Sequence, residues 1–301
     1  MSEKIRRDWV RNKTYYFILL PVLLFYIIFY YLPMGGLVIA FQDFRPALGI
    51  GGSKFIGLKN FNDFFGSYYF IRLLRNTVII SLLSLFFGCV GPVTLALLLN
   101  EVQNKPFKKA VQSITYMPYF IAVVVVASLV KIFVAPEGPI GQIVASITGR
   151  EINLLSVPKY FRPILICSDL WQLTGYSAVI YLSALSGIDS ELYEAARIDG
   201  AGYWKQAKHI TLPGIAPTII MVLILRTGQL LNFGYEKILL LYSPAVYSTA
   251  DVIQTFVYRK GLLEGNYGYA TAVSMFNSIA GLIMIMISNA LAKRYSETQL
   301  F

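Results

Sequence analysis

Ionisable, amide and large aromatic side chains occur inside three long apolar stretches of the chain. Asp169, Gln172 and Tyr176 stand at positions i, i+3 and i+7, which lie on one face of a helix. In the next apolar stretch, Arg226 and Gln229 are also three residues apart, so they too lie on one helix face. Polar groups are costly inside a bilayer and usually face the bundle interior or water, so these faces predict a polar pathway. The candidate pathway residues are Asp169, Trp171, Gln172, Tyr176, Arg226, Gln229, Asn232 and Asn277.

Asp169 and Arg226 carry opposite charges and have similar predicted depths. Counted at about 1.5 Å per residue from the outer ends of their helices, Asp169 lies about 10 Å deep and Arg226 about 12 Å. We therefore expect these two side chains to meet in an ion pair. Such a pair would either line the pathway or only hold two helices together.

The composition requires helices that cross a membrane. Of the 301 residues, 56% are hydrophobic and 14% are charged, and the mean hydropathy is +0.60. A soluble domain has about 25% charged residues, so this chain lacks the charge to cover a water-facing surface. The sequence predicts an all-α integral membrane protein with six spans, each near the roughly 20 residues that a bilayer needs. The predicted spans are 15–39, 74–99, 110–134, 162–186, 214–234 and 267–292.

The distribution of Lys and Arg sets the predicted orientation. These residues are denser in segments 1–14, 100–109, 187–213 and 293–301 than in the other connecting segments, so these four are expected in the cytoplasm. The chain then has a cytoplasmic N-terminal segment, a six-span domain over 15–292 and a cytoplasmic tail. The net charge is +10, and its basic residues lie beside the apolar spans, where anionic lipid headgroups attract them. This placement explains the positive charge, so no nucleic-acid partner is expected.

The cytoplasmic segment 187–213 predicts two short helices joined at a glycine. Asp189 is a plausible N-cap for the first helix, and Gly200 can adopt the left-handed conformation that ends it. A second helix is expected from Tyr203 to Pro213, because proline cannot continue a helix interior. The small side chains of this segment permit close approach, and its carboxylates offer partners for basic groups. The segment is therefore predicted to be a docking element.

The same segment matches the pattern Glu-Ala-Ala, three residues, Gly, nine residues, Ile-x-Leu-Pro. The pattern resembles the EAA loop of binding-protein-dependent ABC importer permeases. Looser matches at Gly57–Phe61, Asn76-Thr77, Asp251–Ile253 and Asn266–Ala270 resemble carbohydrate permeases, and the last two the polysaccharide and oligosaccharide subgroup. The resemblance implies these ATPase-coupling residues: Glu194, Ala195, Ala196, Asp199, Gly200, Ile210, Leu212 and Pro213.

The resemblance implies a type I ABC importer permease fold in a bacterial cell membrane. It implies a second, related permease subunit in a heterodimer, two cytoplasmic ATPase subunits and an extracytoplasmic solute-binding protein. The cargo would be an oligosaccharide, and the Arg226 side chain suggests acidic polysaccharide fragments. Aromatic rings such as those of Trp171 and Tyr176 would stack on the C–H faces of sugars.

No catalysis or cofactor is expected on this chain. No Gly-Lys dipeptide occurs, so the sequence has no phosphate-binding loop, and it has no cluster with metal-ligand spacing. ATP and Mg would be bound by the partner ATPase. The alternatives are an ABC permease for amino acids, phosphate or metals, a secondary transporter or channel, and a membrane enzyme acting on lipid-linked sugars.

Overall fold

The computed structural model describes residues 3–228 and 234–295. Nearly all of this part is helical, with one short antiparallel hairpin. The helices are α1 (Glu3–Tyr26), α2 (Leu32–Met34), α3 (Gly49–Gly52), α4 (Lys59–Phe65), α5 (Tyr69–Glu101), α6 (Lys105–Tyr116), α7 (Val123–Val134), α8 (Pro139–Thr148), α9 (Pro158–Ser186), α10 (Ser190–Ile198), α11 (Tyr203–Gln206), α12 (Leu212–Gly228), α13 (Tyr235–Leu241), α14 (Tyr247–Ala250), α15 (Ile253–Tyr258) and α16 (Tyr267–Tyr295). The strands are β1 (Gln42–Asp43) and β2 (Lys54–Phe55).

The chain forms two compact units. Unit 1 comprises Met1–Ser67 and Val257–Met275, and unit 2 comprises Tyr68–Phe256 and Phe276–Phe301. In unit 1, α1 runs through a π-helical turn at 27–31 and α2 into a 3-10 segment at 35–41.

The hairpin of unit 1 is held by hydrogen bonds to buried side chains. Its strands pair Gln42 with Phe55 and Asp43 with Lys54. Asn60, at the start of α4, donates from Nδ2 to the carbonyls of Ala40 (2.9 Å) and Gln42 (3.2 Å). The all-α prediction is corrected by this hairpin. Its strands are only two residues long, which is too short for an alternating sequence pattern to predict them.

Unit 2 is built on two long helices, α5 and α9, that pack along each other at two separate apolar cores. In the first core, Phe161 and Leu165 of α9 pack with residues of α5, α7, α13 and α14. In the second core, Ala178 and Tyr181 of α9 pack with residues of α5 and α12. The polar candidates Asp169 and Gln172 therefore lie on α9 between the two cores.

Polar side chains fasten the segment 244–256 to the first turns of α5 and α9. Asn76 donates from Nδ2 to the carbonyls of Tyr247 (3.3 Å) and Asp251 (3.0 Å). Arg162 donates to Asn76 Oδ1 (2.8 Å) and to the carbonyl of Thr249 (3.1 Å). Backbone groups outside regular helix pairing are costly to bury, and these side chains satisfy them.

The predicted spans correspond only in part to the structure. Within the described ranges, five helical segments are long and apolar enough to cross a membrane: Arg11–Phe41, Tyr69–Glu101, Val123–Thr148, Tyr203–Gly228 and Tyr267–Ala290. The predicted span 162–186 coincides with α9, which is not among these five. The predicted span 110–134 is broken between α6 and α7, where Pro118 lies in a 3-10 turn and Ile121 is extended.

We expect that replacing Gly175 by Ala destabilises unit 2. An added Cβ at Gly175 would lie 1.9 Å from the carbonyl oxygen of Thr115, so α6 and α9 must separate. Overpacking of this kind costs about 1–3 kcal/mol or more, and thermal unfolding of the purified protein measures it. Gly281→Ala is the matched control, because an added Cβ there meets no atom within 4 Å. Equal melting temperatures for the two variants would contradict this packing.

Candidate functional site

The docking segment begins as the sequence predicts. The Asp189 side chain accepts a hydrogen bond from the backbone N–H of Glu191 at 2.9 Å, which caps α10. This bond satisfies one of the N–H groups that a helix start leaves without a partner. The predicted N-cap is confirmed.

The predicted turn at Gly200 is also confirmed. Gly200 has a φ of +73°, the left-handed conformation that glycine adopts without strain. Its N–H donates to the carbonyl of Arg197 (3.0 Å), and the N–H of Ala201 donates to the carbonyl of Ala196 (2.8 Å). These two bonds form a Schellman motif, which satisfies the last carbonyls of α10 and reverses the chain.

The second arm of the segment is longer than predicted. It is helical from Tyr203 through a π-helical turn at 207–211 and then through α12 to Gly228. The prediction that Pro213 ends this arm is wrong. The residues just before the proline form a π-helical turn, in which the N–H of Leu212 bonds to the carbonyl of Ala207, so Pro213 follows a turn that does not use regular α-helical pairing.

Side chains hold the segment together along its length. The Tyr193 hydroxyl donates to Thr211 Oγ1 at 3.1 Å, and Gln206 Nε2 donates to the carbonyl of Ala201 at 2.7 Å. Ile188 packs directly against Gly214, where an added Cβ would lie 2.7 Å from its Cδ1 atom. The segment is therefore a rigid projection.

Most of the predicted coupling residues are accessible on this projection. Glu194, Ala195, Asp199, Gly200, Leu212 and Pro213 are exposed, and Ala196 and Ile210 are half-buried. The prediction missed two large apolar side chains that flank the Gly200 turn, Ile198 at 87% exposed and Trp204 at 82% exposed. Large apolar residues within an otherwise polar connecting segment were the signal available in the sequence.

The structure does not form the predicted Asp169–Arg226 ion pair, so this prediction is wrong. Asp169 Oδ1 instead pairs with Lys237 Nζ of α13 at 2.5 Å, with both side chains largely buried. The depths of Asp169 and Arg226 did not predict this pair, because Lys237 follows the predicted fifth span and only the tertiary fold returns it to α9.

Arg226 of α12 contacts α9 at a point further from the start of α9 than Asp169. Its Nη2 donates to Ser177 Oγ at 3.2 Å, and its guanidinium lies against Gly88 of α5, where an added Cβ would be 2.2 Å from Nη1. Eight residues separate Asp169 from Ser177, which is about 12 Å along a helix. Asp169 and Arg226 still border one small cavity between α5 and α9.

The other residues on the predicted α9 face have separate roles. Gln172 is buried and donates from Nε2 to the carbonyl of Ile121 (3.1 Å), which satisfies the backbone at the break between α6 and α7. Tyr176 stacks on Tyr119 with ring centroids 3.9 Å apart and planes 9° apart. Trp171 is half exposed and lines an apolar groove of about 470 Å³ between α5, α6 and α9.

The remaining predicted pathway residues follow α12 in the sequence. Asn277 is buried in α16, with 1% of its surface exposed. Gln229 and Asn232 lie outside the described residues. Over residues 3–228 and 234–295, no group of three or more His, Cys, Asp or Glu side chains could hold a metal ion.

A family model described as "Binding-protein-dependent transport system inner membrane component" matches residues 92–297. The match covers α9, the docking segment and α12. The chain belongs to this family. The predicted membership of the binding-protein-dependent permeases is thereby confirmed, and this inner membrane component is a multi-pass protein of the bacterial cytoplasmic membrane.

Two proteins of Bacillus subtilis (strain 168) resemble this inner membrane component over nearly its whole length. Protein LplB is 42% identical over 292 residues, which cover 97% of this chain and 92% of LplB. The polygalacturonan/rhamnogalacturonan transport system permease protein YteP is 41% identical over 293 residues, which cover 97% of this chain and 91% of YteP.

Two crystal structures share this fold closely. One is of a bacterial ABC transporter involved in the import of the acidic polysaccharide alginate; its chain has a TM-score of 0.90 and 41% identity, covering 97% of this chain and 99% of that chain. The other is of a bacterial alginate ABC transporter in complex with an alginate pentasaccharide-bound periplasmic protein, with a TM-score of 0.91 and 40% identity, covering 99% of this chain and 100% of that chain.

We expect Lys237→Met to destabilise this membrane component strongly. The substitution leaves the Asp169 carboxylate buried without its cation, a loss of about 3–5 kcal/mol. The double variant Asp169→Leu with Lys237→Met removes both charges and should recover most of the thermal stability.

The control is Lys260→Met, because the Lys260–Glu264 pair is more exposed, and the loss there should stay below about 1 kcal/mol. A double variant no more stable than Lys237→Met would contradict the view that the unpaired charge causes the loss.

Proposed function

We propose that this chain is a transmembrane subunit of an ATP-driven importer that moves oligosaccharides into a bacterial cell. The observation that carries the proposal is the rigid projection at 187–213, whose apolar tip has no contact that would bury it within the described chain. Membership of a binding-protein-dependent transport family supports import, and the printed names of YteP and of the alginate transporters support a carbohydrate cargo.

The projection has the properties of an energy-coupling element. Ile198 and Trp204 present apolar surface of the kind that anchors protein interfaces, beside the carboxylates of Glu194 and Asp199. Its base is continuous with α9 through Gly187 and with α12 through the π-turn. A force applied at the tip would therefore act on both helices that carry the pathway candidates.

The assembly that we propose follows from this single projection. One projection serves one ATPase, so two permease subunits would stand above two cytoplasmic ATPases that bind ATP and Mg. As the sequence resemblance implies, the second permease would be related to this chain but different from it, which makes a heterodimer. This subunit itself would catalyse no reaction. An extracytoplasmic solute-binding protein would deliver the cargo, and the alginate transporter in complex with a periplasmic protein supports that arrangement.

The proposed topology has six spans and cytoplasmic termini, in a type I importer fold. With the projection inside the cell, the first turn of α9 lies outside. The pathway would pass beside the second half of α9, where the Tyr119–Tyr176 ring pair remains partly exposed. Flat aromatic rings of this kind could stack on sugars, and Arg226 and Ser177 supply hydrogen-bond donors close by.

We expect Ile198→Asp to release the ATPase while leaving the permease folded. Loss of a buried apolar anchor costs about 2 kcal/mol or more at an interface, or roughly 30-fold in affinity. Co-purification of the ATPase with this chain in detergent measures the effect.

Leu58→Asp is the matched control, because Leu58 is a 61% exposed apolar residue of unit 1 outside the projection. The proposal fails if Ile198→Asp retains the ATPase at the wild-type ratio, or if both variants lose it equally.

A further inference from the structure

Two long helices of unit 2 begin close together and place arginines in their first two turns. Arg72 and Arg75 lie near the start of α5, and Arg162 lies near the start of α9. The hydrogen bond from Arg162 Nη2 to Asn76 Oδ1 at 2.8 Å brings the two helix starts together. Arg72, Arg75 and Arg162 together form an arginine cluster.

The arginine cluster has more positive charge than its surroundings neutralise. Within the described residues, the one carboxylate paired with it is that of Asp251, 3.4 Å from Arg72 Nη2 and fully buried. Arg162 donates hydrogen bonds to Asn76 and to a backbone carbonyl, both of which are uncharged, so these bonds leave its positive charge without a counter-ion.

Arg75 is the exposed member of the cluster. In the described part of the chain it makes no hydrogen bond or ion pair, and it directly precedes Asn76, the residue that accepts a hydrogen bond from Arg162. Cations that share one region of the structure without enough carboxylate partners are stabilised when an anion binds near them. Arg72 Nε is also buried with no hydrogen-bond partner among the described residues.

The helix termini add to this positive potential. Neither α5 nor α9 has a side-chain cap or an acidic residue in its first turn. The dipole of a helix favours anions at its N-terminus, yet both helices carry cations there. Such an arrangement is stabilised by an external anion.

The excess of positive charge continues along α9. Arg226 contacts Ser177, 15 residues beyond Arg162 and about 22 Å further along the helix. Between these points, the Asp169–Lys237 pair is neutral. Arg226 has no carboxylate partner among the described residues, and residues 229–233 contain no acidic residue. An anion that entered at the cluster and moved along α9 would next meet the positive charge of Arg226. A ligand that stayed at the surface would not reach Arg226.

We propose that the arginine cluster is an entry subsite for the carboxylate groups of an anionic oligosaccharide, with Arg75 as its principal ligand. This assignment rests on the proposed function and specifies its cargo as a uronate chain. Arg75 forms charge-assisted hydrogen bonds to a carboxylate, and Arg72 and Arg162 supply the surrounding positive potential.

The test uses the complete transporter in liposomes, with its second permease, ATPases and solute-binding protein loaded with trigalacturonate. Uptake is measured against the concentration of loaded binding protein. Arg75→Gln should lower the maximal uptake rate about tenfold, as expected for one charge-assisted hydrogen bond. The concentration for half-maximal uptake should stay unchanged, and Arg75→Lys should recover most of the rate. Lys59→Gln, which removes an exposed cation of unit 1, is the control.

Three results would overturn the assignment. An unchanged maximal rate in Arg75→Gln means that Arg75 does not act on the cargo. A change confined to the half-maximal concentration means that the cluster binds the solute-binding protein. Loss of the effect in liposomes of phosphatidylcholine alone means that the cluster binds anionic lipid headgroups.

Failure of the proposed function gives a different result. If the wild-type transporter imports neutral oligosaccharides and no uronate, the entry subsite is wrong and the proposed function stands. If it imports no oligosaccharide of either kind, the proposed function itself is wrong.

Discussion

The docking projection must be rigid while its tip remains exposed, and the structure meets both requirements with hydrogen bonds internal to the projection. The Asp189 cap, the Schellman turn at Gly200 and the Tyr193–Thr211 bond fix its shape without burying its tip. A mobile loop would absorb a push from a partner, whereas a fixed one transmits it to α9 and α12. The proposed role in energy coupling depends on this constraint.

The polar groups of α9 lie between two apolar cores, and the core that each group is near decides which helix supplies its partner. Near the first core, Lys237 of α13 neutralises Asp169. Near the second core, Arg226 of α12 reaches Ser177 through the space that Gly88 leaves open. Two short-range pairings thus replace the single long-range pair expected from depth alone. The remaining positive charge lies at the arginine cluster and at Arg226, beside the proposed pathway.

The docking projection was predictable because its signals are local, whereas the pathway was not because its contacts are tertiary. An N-cap and a left-handed glycine act within a few residues, so Asp189 and Gly200 could be assigned from the sequence. Gln172 has the spacing of a pathway residue, yet it satisfies a carbonyl 51 positions earlier, at a helix break that hydropathy does not reveal. The partner of Asp169 is Lys237, 68 positions later in α13, and no local sequence pattern pairs the two.

Cysteine cross-linking at the tip of the projection tests the central claim most directly. Ile198→Cys is introduced into a chain whose Cys89 and Cys167 are replaced by Ser, and a short thiol-to-amine cross-linker is applied to membranes that contain the whole transporter. The account predicts a cross-linked product of this chain with an ATPase, and no product from a cysteine at the exposed Phe55. Labelling of Ile198→Cys by an impermeant thiol reagent outside intact cells, or cross-linking to no ATPase, would contradict it.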